Sequence, residues 1–232
     1  MTRPLDVIDL GHLPYVEALE LQRALRLDRL DGSAPNDMLL LVEHDPVYTM
    51  GRSTQASSLP LSAEALRSRG ADVVEIERGG DVTWHGPGQL VGYPILNLSQ
   101  HRADLHWYLR TVEQALIDAL ASLDIPATRN PGKTGVWTAG RKIASIGIHV
   151  KQWVTLHGFA INVDPDLGWF DAIIPCGIQG VEMTSIAAER HQASSGHEAL
   201  WRETREAVVA AFGAAFACDP RPAYSSRHAR AG

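Results

Sequence analysis

Cysteine is scarce in this chain: two occur in 232 residues, Cys176 and Cys218. That is too few for a disulfide framework, and their spacing is wrong for a CxxC metal signature. A reducing compartment is expected. Long apolar runs are also missing. No uncharged stretch approaches the roughly 18 residues that cross a bilayer, and Met1-Thr2-Arg3-Pro4-Leu5-Asp6 lacks the apolar core of a signal peptide. The expectation is a cytoplasmic protein that does not engage a membrane. Basic residues are in deficit, with 21 Lys and Arg against 27 Asp and Glu and a net charge of −6, so no global field draws nucleic acid. The 10 histidines form no HExxH, and no His pair joins a Cys pair, so no metal site is expected. Phosphate loops of the GxxxxGK[ST] and GxGxxG kinds are absent, and no cofactor is expected. The GxSxG nucleophile elbow and the papain-type cysteine context are absent as well.

What remains is an ordinary globular composition, 45% hydrophobic and 21% charged, long enough for one substantial core. Residues 14–30 place apolar side chains at helical spacing, with Pro14 suited to a first turn. Residues 38–43 read as a buried strand, 61–69 as a short helix, 73–76 and 89–98 as strands, and 105–123 as a long amphipathic helix. From 135 to 163 short apolar runs cut by glycine and charge predict consecutive antiparallel strands. An alanine-rich helix is predicted over 198–216. The elements alternate without a regular βαβ rhythm, so the fold class is α/β of the mixed α+β kind, in one domain over 1–220 with a flexible tail over 221–232. No heptad or repeat argues for assembly, and a monomer is expected.

Four segments carry possible chemistry. The first, RGGDVTWHGPGQ at 78–89, packs glycine, aromatic and ionisable residues densely enough for a pocket wall. The second, GRKIASIGIHV at 140–150, sets Lys142 ahead of small residues in a strand, and such residues mark close backbone or ligand approach. The third, HGFAINVD at 157–164, alternates Phe159, Ile161 and Val163 with Gly158, Ala160 and Asn162, giving a bulky face and a small one. The small face admits either an acyl chain or a second sheet. The fourth is Ile173-Ile174-Pro175-Cys176-Gly177-Ile178, a thiol between a rigid residue and a permissive one. A thiol so presented is a candidate nucleophile, and a neighbouring ammonium would raise its thiolate fraction. A buried structural cysteine and a solvated strand-edge lysine are the plain alternatives. His85, His149 and His157 are open as bases.

Taken together and in this order, the segments RGGDVTWHGPGQLVGYPILNL at 78–98, GRKIASIGIHV at 140–150 and HGFAINVDPDLGWFDAIIPCGI at 157–178 resemble the lipoyl(octanoyl) transferases of protein lipoylation. The resemblance runs from about residue 43 to 186. It implies a mixed sheet flanked by helices plus a smaller sheet, as in the catalytic domains of biotin and lipoate protein ligases. It implies Cys176 as the nucleophile that takes octanoyl from acyl carrier protein, and Lys142 as the residue that activates the thiol. It implies a substrate pocket lined by Arg78, Gly79, Gly80, Asp81, Val82, Thr83, Trp84 and His85, by Ser145, Ile146 and Gly147, and by Gly158, Phe159 and Ala160. The acceptor implied is a lysine on lipoyl domains of 2-oxoacid dehydrogenases or the glycine cleavage H protein. An ATP-dependent lipoate or biotin ligase on the same fold is the nearest rival. An acidic carrier further implies a local basic patch, for which Arg52, Arg78, Arg141, Lys142 and Lys151 are the candidates.

Overall fold

The structure, a computed structural model, describes residues 2–174, 180–191 and 197–223. In chain order the strands are β1 (Arg3–His12), β2 (Asp37–Glu43), β3 (Val47–Met50), β4 (Asp72–Glu75), β5 (Thr83–His85), β6 (Gln89–Ile95), β7 (Thr128–Asn130), β8 (Lys133–Thr138), β9 (Arg141–Lys151), β10 (Val154–Asn162) and β11 (Cys218–Pro222). The helices are α1 (Tyr15–Asp31), α2 (Ala63–Ser68), α3 (Leu105–Ser122), α4 (Ile186–Glu189) and α5 (His197–Ala215). Among the described residues, eight strands form a mixed sheet in the order β11-β1-β2-β6-β10-β9-β8-β7, and β4-β3-β5 form a small one.

The central strands are apolar on both faces because both faces are covered. In β2, Leu39 and Leu41 join the core under α3 and α5, while Met38, Leu40 and Val42 join the core under α1. The alternation of β10 works the same way. Phe159, Ile161 and Val163 enter the α3/α5 core, and the small residues face the opposite side. Helix α3 starts where the Asp104 carboxylate accepts the Trp107 N–H. Helix α1 stops at Gly32, which takes the left-handed conformation at φ 89. Tyr15 and Leu19 of α1 pack with Val47 of β3 and Ile76, so the small sheet lies on the α1 side of the large one.

Two strands depart from the sequence reading. β1 pairs parallel with both β2 and β11, and neither β1 nor β11 is predicted from pattern. β11 carries Pro220 and Pro222, and a sheet edge is where proline is tolerated. The tail expected from residue 221 shares its first two residues with this strand, and the Ala223 N–H still donates to the Val7 carbonyl. Among the described residues no helix is long and apolar enough to cross a membrane.

Candidate active site

Strand β9 carries the feature that assembles the site. Its pairing with β8 slips by one residue between Val136↔Ala144 and Trp137↔Lys142, a one-residue bulge on β9. As a result Ile143 and Ala144 both point into the α3/α5 core, and Lys142 and Ser145 both face the cleft on the other side. Residues three apart on a regular strand would face opposite ways. The bulge reconciles a buried apolar pair with two polar cleft residues.

The cleft is narrow, with about 50 Å³ of free space. Its floor is the sheet: Val91 and Tyr93 of β6, Gly158, Phe159 and Ala160 of β10, and Ser145, Ile146 and Gly147 of β9. Tyr15 of α1, Arg78, residues 80–83 and His85 form the opposite wall. A wider basin adjoins it, sharing Gly80, Asp81, Ile146 and Gly147 and extending to Gly79, Leu105, Leu109 and Ile174. Gly147 permits the two walls to meet. A Cβ there would lie 2.8 Å from Arg78 Cδ and 3.3 Å from the Gly79 carbonyl oxygen, and the Gly79 N–H donates to the Ile148 carbonyl at 2.9 Å.

Lys142 is 1% exposed. Its ammonium nitrogen lies 5.8 Å from the centre of the Trp137 ring, a cation–π distance. Its backbone N–H donates to the Glu182 carbonyl (2.8 Å), and its carbonyl accepts the Thr184 N–H (2.9 Å). The chain after residue 180 is therefore laddered to Lys142 itself, with Met183 opposite it. On the other flank, the Ile174 N–H donates to the Ser58 carbonyl at 2.9 Å. Cys176 lies outside the described residues, between these two anchors.

A buried hydrogen-bond chain ties the wall to this segment. The Asn162 Nδ2 donates to the Thr184 carbonyl at 2.9 Å, which leaves its Oδ1 to accept from Gln89 Nε2 at 2.9 Å. Gln89 Oε1 must then accept from His85 Nδ1 at 2.7 Å. Burial pushes the His85 pKa down to about 3, so the ring is neutral. With Nδ1 protonated, Nε2 carries a lone pair. His157 also lines the cleft, at φ 58 and with neither ring nitrogen hydrogen-bonded among the described residues. Burial lowers its pKa to about 4. His149 does not line the cleft, and burial lowers its pKa as well.

These histidines predict a pH dependence. His44, like His157, is held by burial at about 4. Folded values below the unfolded value of about 6.5 mean that the unfolded chain binds protons first. The stability contributed is full above pH 6.5 and is lost as pH falls, with three protons giving a slope of up to about 4 kcal/mol per pH unit. The urea midpoint should hold between pH 8 and 7 and fall from pH 6.5 towards 5. A midpoint constant down to pH 5 would show these rings are not buried neutral.

Not every expected residue lines the pocket. Trp84 turns away from it, fully buried and stacked on Trp169 at 5.9 Å with Phe170 edge-on. Arg78 lines the cleft yet works as a clamp: its guanidinium donates to Thr49 O (2.6 Å), Thr49 Oγ1 (2.9 Å) and Asp81 O (2.6 Å). The Asp81 carboxylate accepts from Ser58 Oγ and the Val82 N–H, fixing the same turn. Arg78 and Lys142 are buried, and Arg141 pairs with Glu189, so of the five candidates for a basic patch Arg52 and Lys151 are the exposed ones. Tyr15 and Tyr93 were not singled out by the sequence. Tyr93 falls on the cleft face of β6 by simple alternation, and Tyr15 arrives from a distant helix with no local signal.

The chain matches the lipoyl protein ligase A/B catalytic domain family over residues 14–213. It is 50% identical over 206 residues to an octanoyltransferase of Geobacter sulfurreducens, covering 89% of this chain and 82% of that protein. With an octanoyltransferase of Flavobacterium psychrophilum it shares 41% over 233 residues, covering 94% and 99%. The chain belongs to the octanoyltransferase family. Membership makes it an enzyme of the acyltransferase class, acting in lipoylation. Solved structures of low identity agree on the fold. A lipoate-protein ligase A bound with ATP superposes with a TM-score of 0.75 at 15% identity, covering 100% of this chain and 92% of that one. A biotin protein ligase from Aquifex aeolicus, in complex with biotin and ATP, gives 0.52 at 13%, covering 89% and 70%. The mixed sheet with a smaller sheet, expected from the family resemblance, is the architecture found.

Proposed function

We propose that this enzyme moves an octanoyl group from octanoyl acyl carrier protein to the ε-amine of a lysine on a lipoyl domain, by way of a thioester on Cys176. The observation that carries the reading is the buried Lys142 at the end of an apolar-floored cleft, laddered through its own backbone to the segment that follows the cysteine. Relatives named octanoyltransferase at 41–50% identity over most of the chain supply the acyl group.

In the first half-reaction the Cys176 thiolate attacks the octanoyl carbonyl. A C–S bond to Cys176 forms, the C–S bond to the carrier breaks, and the carrier sulfur leaves as a thiol with a proton from the Lys142 ammonium. In the second, the acceptor lysine amine attacks the new thioester, the C–N bond forms, Cys176 departs as thiolate, and the proton lost by the attacking nitrogen returns to the Lys142 amine. A cation beside the thiol favours thiolate, and Lys142 fills that role at the start of each cycle. Val91 and Ala160, on the cleft face of the sheet, suit the hydrocarbon. The acceptors are lipoyl domains of 2-oxoacid dehydrogenases or the glycine cleavage H protein. We place the reaction in the cytoplasm, where a thiol stays reduced.

The donor decides between this reading and an ATP-dependent ligase. Purified enzyme given octanoyl carrier protein and an apo lipoyl domain should add octanoyl to the domain without nucleotide. Free octanoate with ATP and magnesium should give no product above background. Product formed from octanoate and ATP alone would assign the chain to the ligases.

A further inference from the structure

We propose that Gly135 is a positioning residue that sets where the Lys142 ammonium sits; this rests on the activating role given to Lys142 above. Gly135 lies in β8 opposite the bulge of β9, at φ +125, a region that side-chain-bearing residues rarely enter. A Cβ built on it would lie 2.7 Å from Lys142 Cε, 3.4 Å from Nζ and 2.7 Å from the Ala144 carbonyl oxygen. The last of these is backbone of the bulge and has nowhere to go. The lysine stem is therefore threaded through space that only a glycine leaves open.

Gly135 is itself held in place from behind. Its N–H points at Glu113 Oε1 of α3 at 3.4 Å. The same carboxylate, fully buried, accepts from Arg110 Nη1 (2.6 Å) and Arg129 Nε (3.1 Å) through Oε2. A buried acid paired by two guanidinium groups is a fixed point of the core. It ties the β8 backbone down where the lysine passes, so the ammonium position follows from helix, strand and glycine together. Gly135 is not among the described residues that line the cleft. Its effect runs through Lys142.

Gly135→Ala should push the ammonium from its place and lower the transfer rate by about 10- to 100-fold, the size of loss that follows a displacement near 1 Å. The Cys176 thiol, titrated by its rate of alkylation against pH, should move upward as it does in Lys142→Ala. The double variant Gly135→Ala/Lys142→Ala should be no slower than Lys142→Ala alone. Val136→Ala, the neighbouring change, opens a cavity in the core; it should lower the melting temperature and leave the thiol titration in place. Should Gly135→Ala not fold, Glu113→Gln loosens the clamp without adding a Cβ and should shift the titration in the same direction by less.

A folded Gly135→Ala enzyme with wild-type titration and rate overturns the proposal. So does a double variant slower than Lys142→Ala by the full single-variant factor. If Lys142→Ala itself leaves the titration unchanged, the fault lies with the role given to Lys142. If Lys142→Ala shifts it and Gly135→Ala does not, only the positioning inference fails.

Discussion

Cys176→Ala should reduce octanoyl transfer by at least about 10⁴-fold, since loss of a covalent nucleophile removes the route and not one contact along it. Serine in its place should fare little better, because an alcohol near neutral pH is a far weaker nucleophile than a thiolate. The remaining thiol, Cys218, does not substitute. It lies buried in β11, where burial raises its pKa, and β11 and the cleft strand β9 are separated in the sheet order by β1, β2, β6 and β10. Folding should be unaffected, so a melting temperature near wild type accompanies the loss. Transfer retained within tenfold in the alanine variant would remove the thioester from the mechanism.

Lys142→Met is the second large effect expected. Methionine keeps most of the apolar stem and its packing against Trp137 while deleting the charge. Transfer should fall by about 10²- to 10⁴-fold, the range for a lost proton-transfer group. The Cys176 thiol should titrate higher, since an adjacent cation is what favours its thiolate. Arginine should not restore activity: its fork is broader than the space beside Gly135, and it does not release a proton at accessible pH. An unshifted thiol in the methionine variant would remove the electrostatic role.

The sequence made much of this legible. Helical spacing located α1, α3 and α5, and the alternation in residues 158–163 separated a bulky face of β10 from a small one without saying what the small face meets. Turn-rich composition marked 78–89 as a wall. Other features depend on partners far away in the chain. β1 and β11 are edge strands that exist by pairing with each other and with β2, and two prolines in β11 disguise it as coil. Lys142 reads locally as a solvated strand-edge residue, and only the bulge in β9 turns it inward. Trp84 lies in the predicted wall, yet stacking on Trp169 draws it into the small-sheet core. Arg78 has the composition of a ligand contact and the geometry of a turn clamp. A hydrogen-bond chain such as His85–Gln89–Asn162–Thr184 joins four segments and leaves no trace in any one of them.

The central claim is that octanoyl rests on one sulfur between donor and acceptor. Intact-mass spectrometry of the enzyme mixed with octanoyl carrier protein alone, followed by peptide mapping, tests it directly. One octanoyl group should appear per chain, on Cys176, and disappear when an apo lipoyl domain is added. No added mass, or the mass on Cys218, would contradict the account.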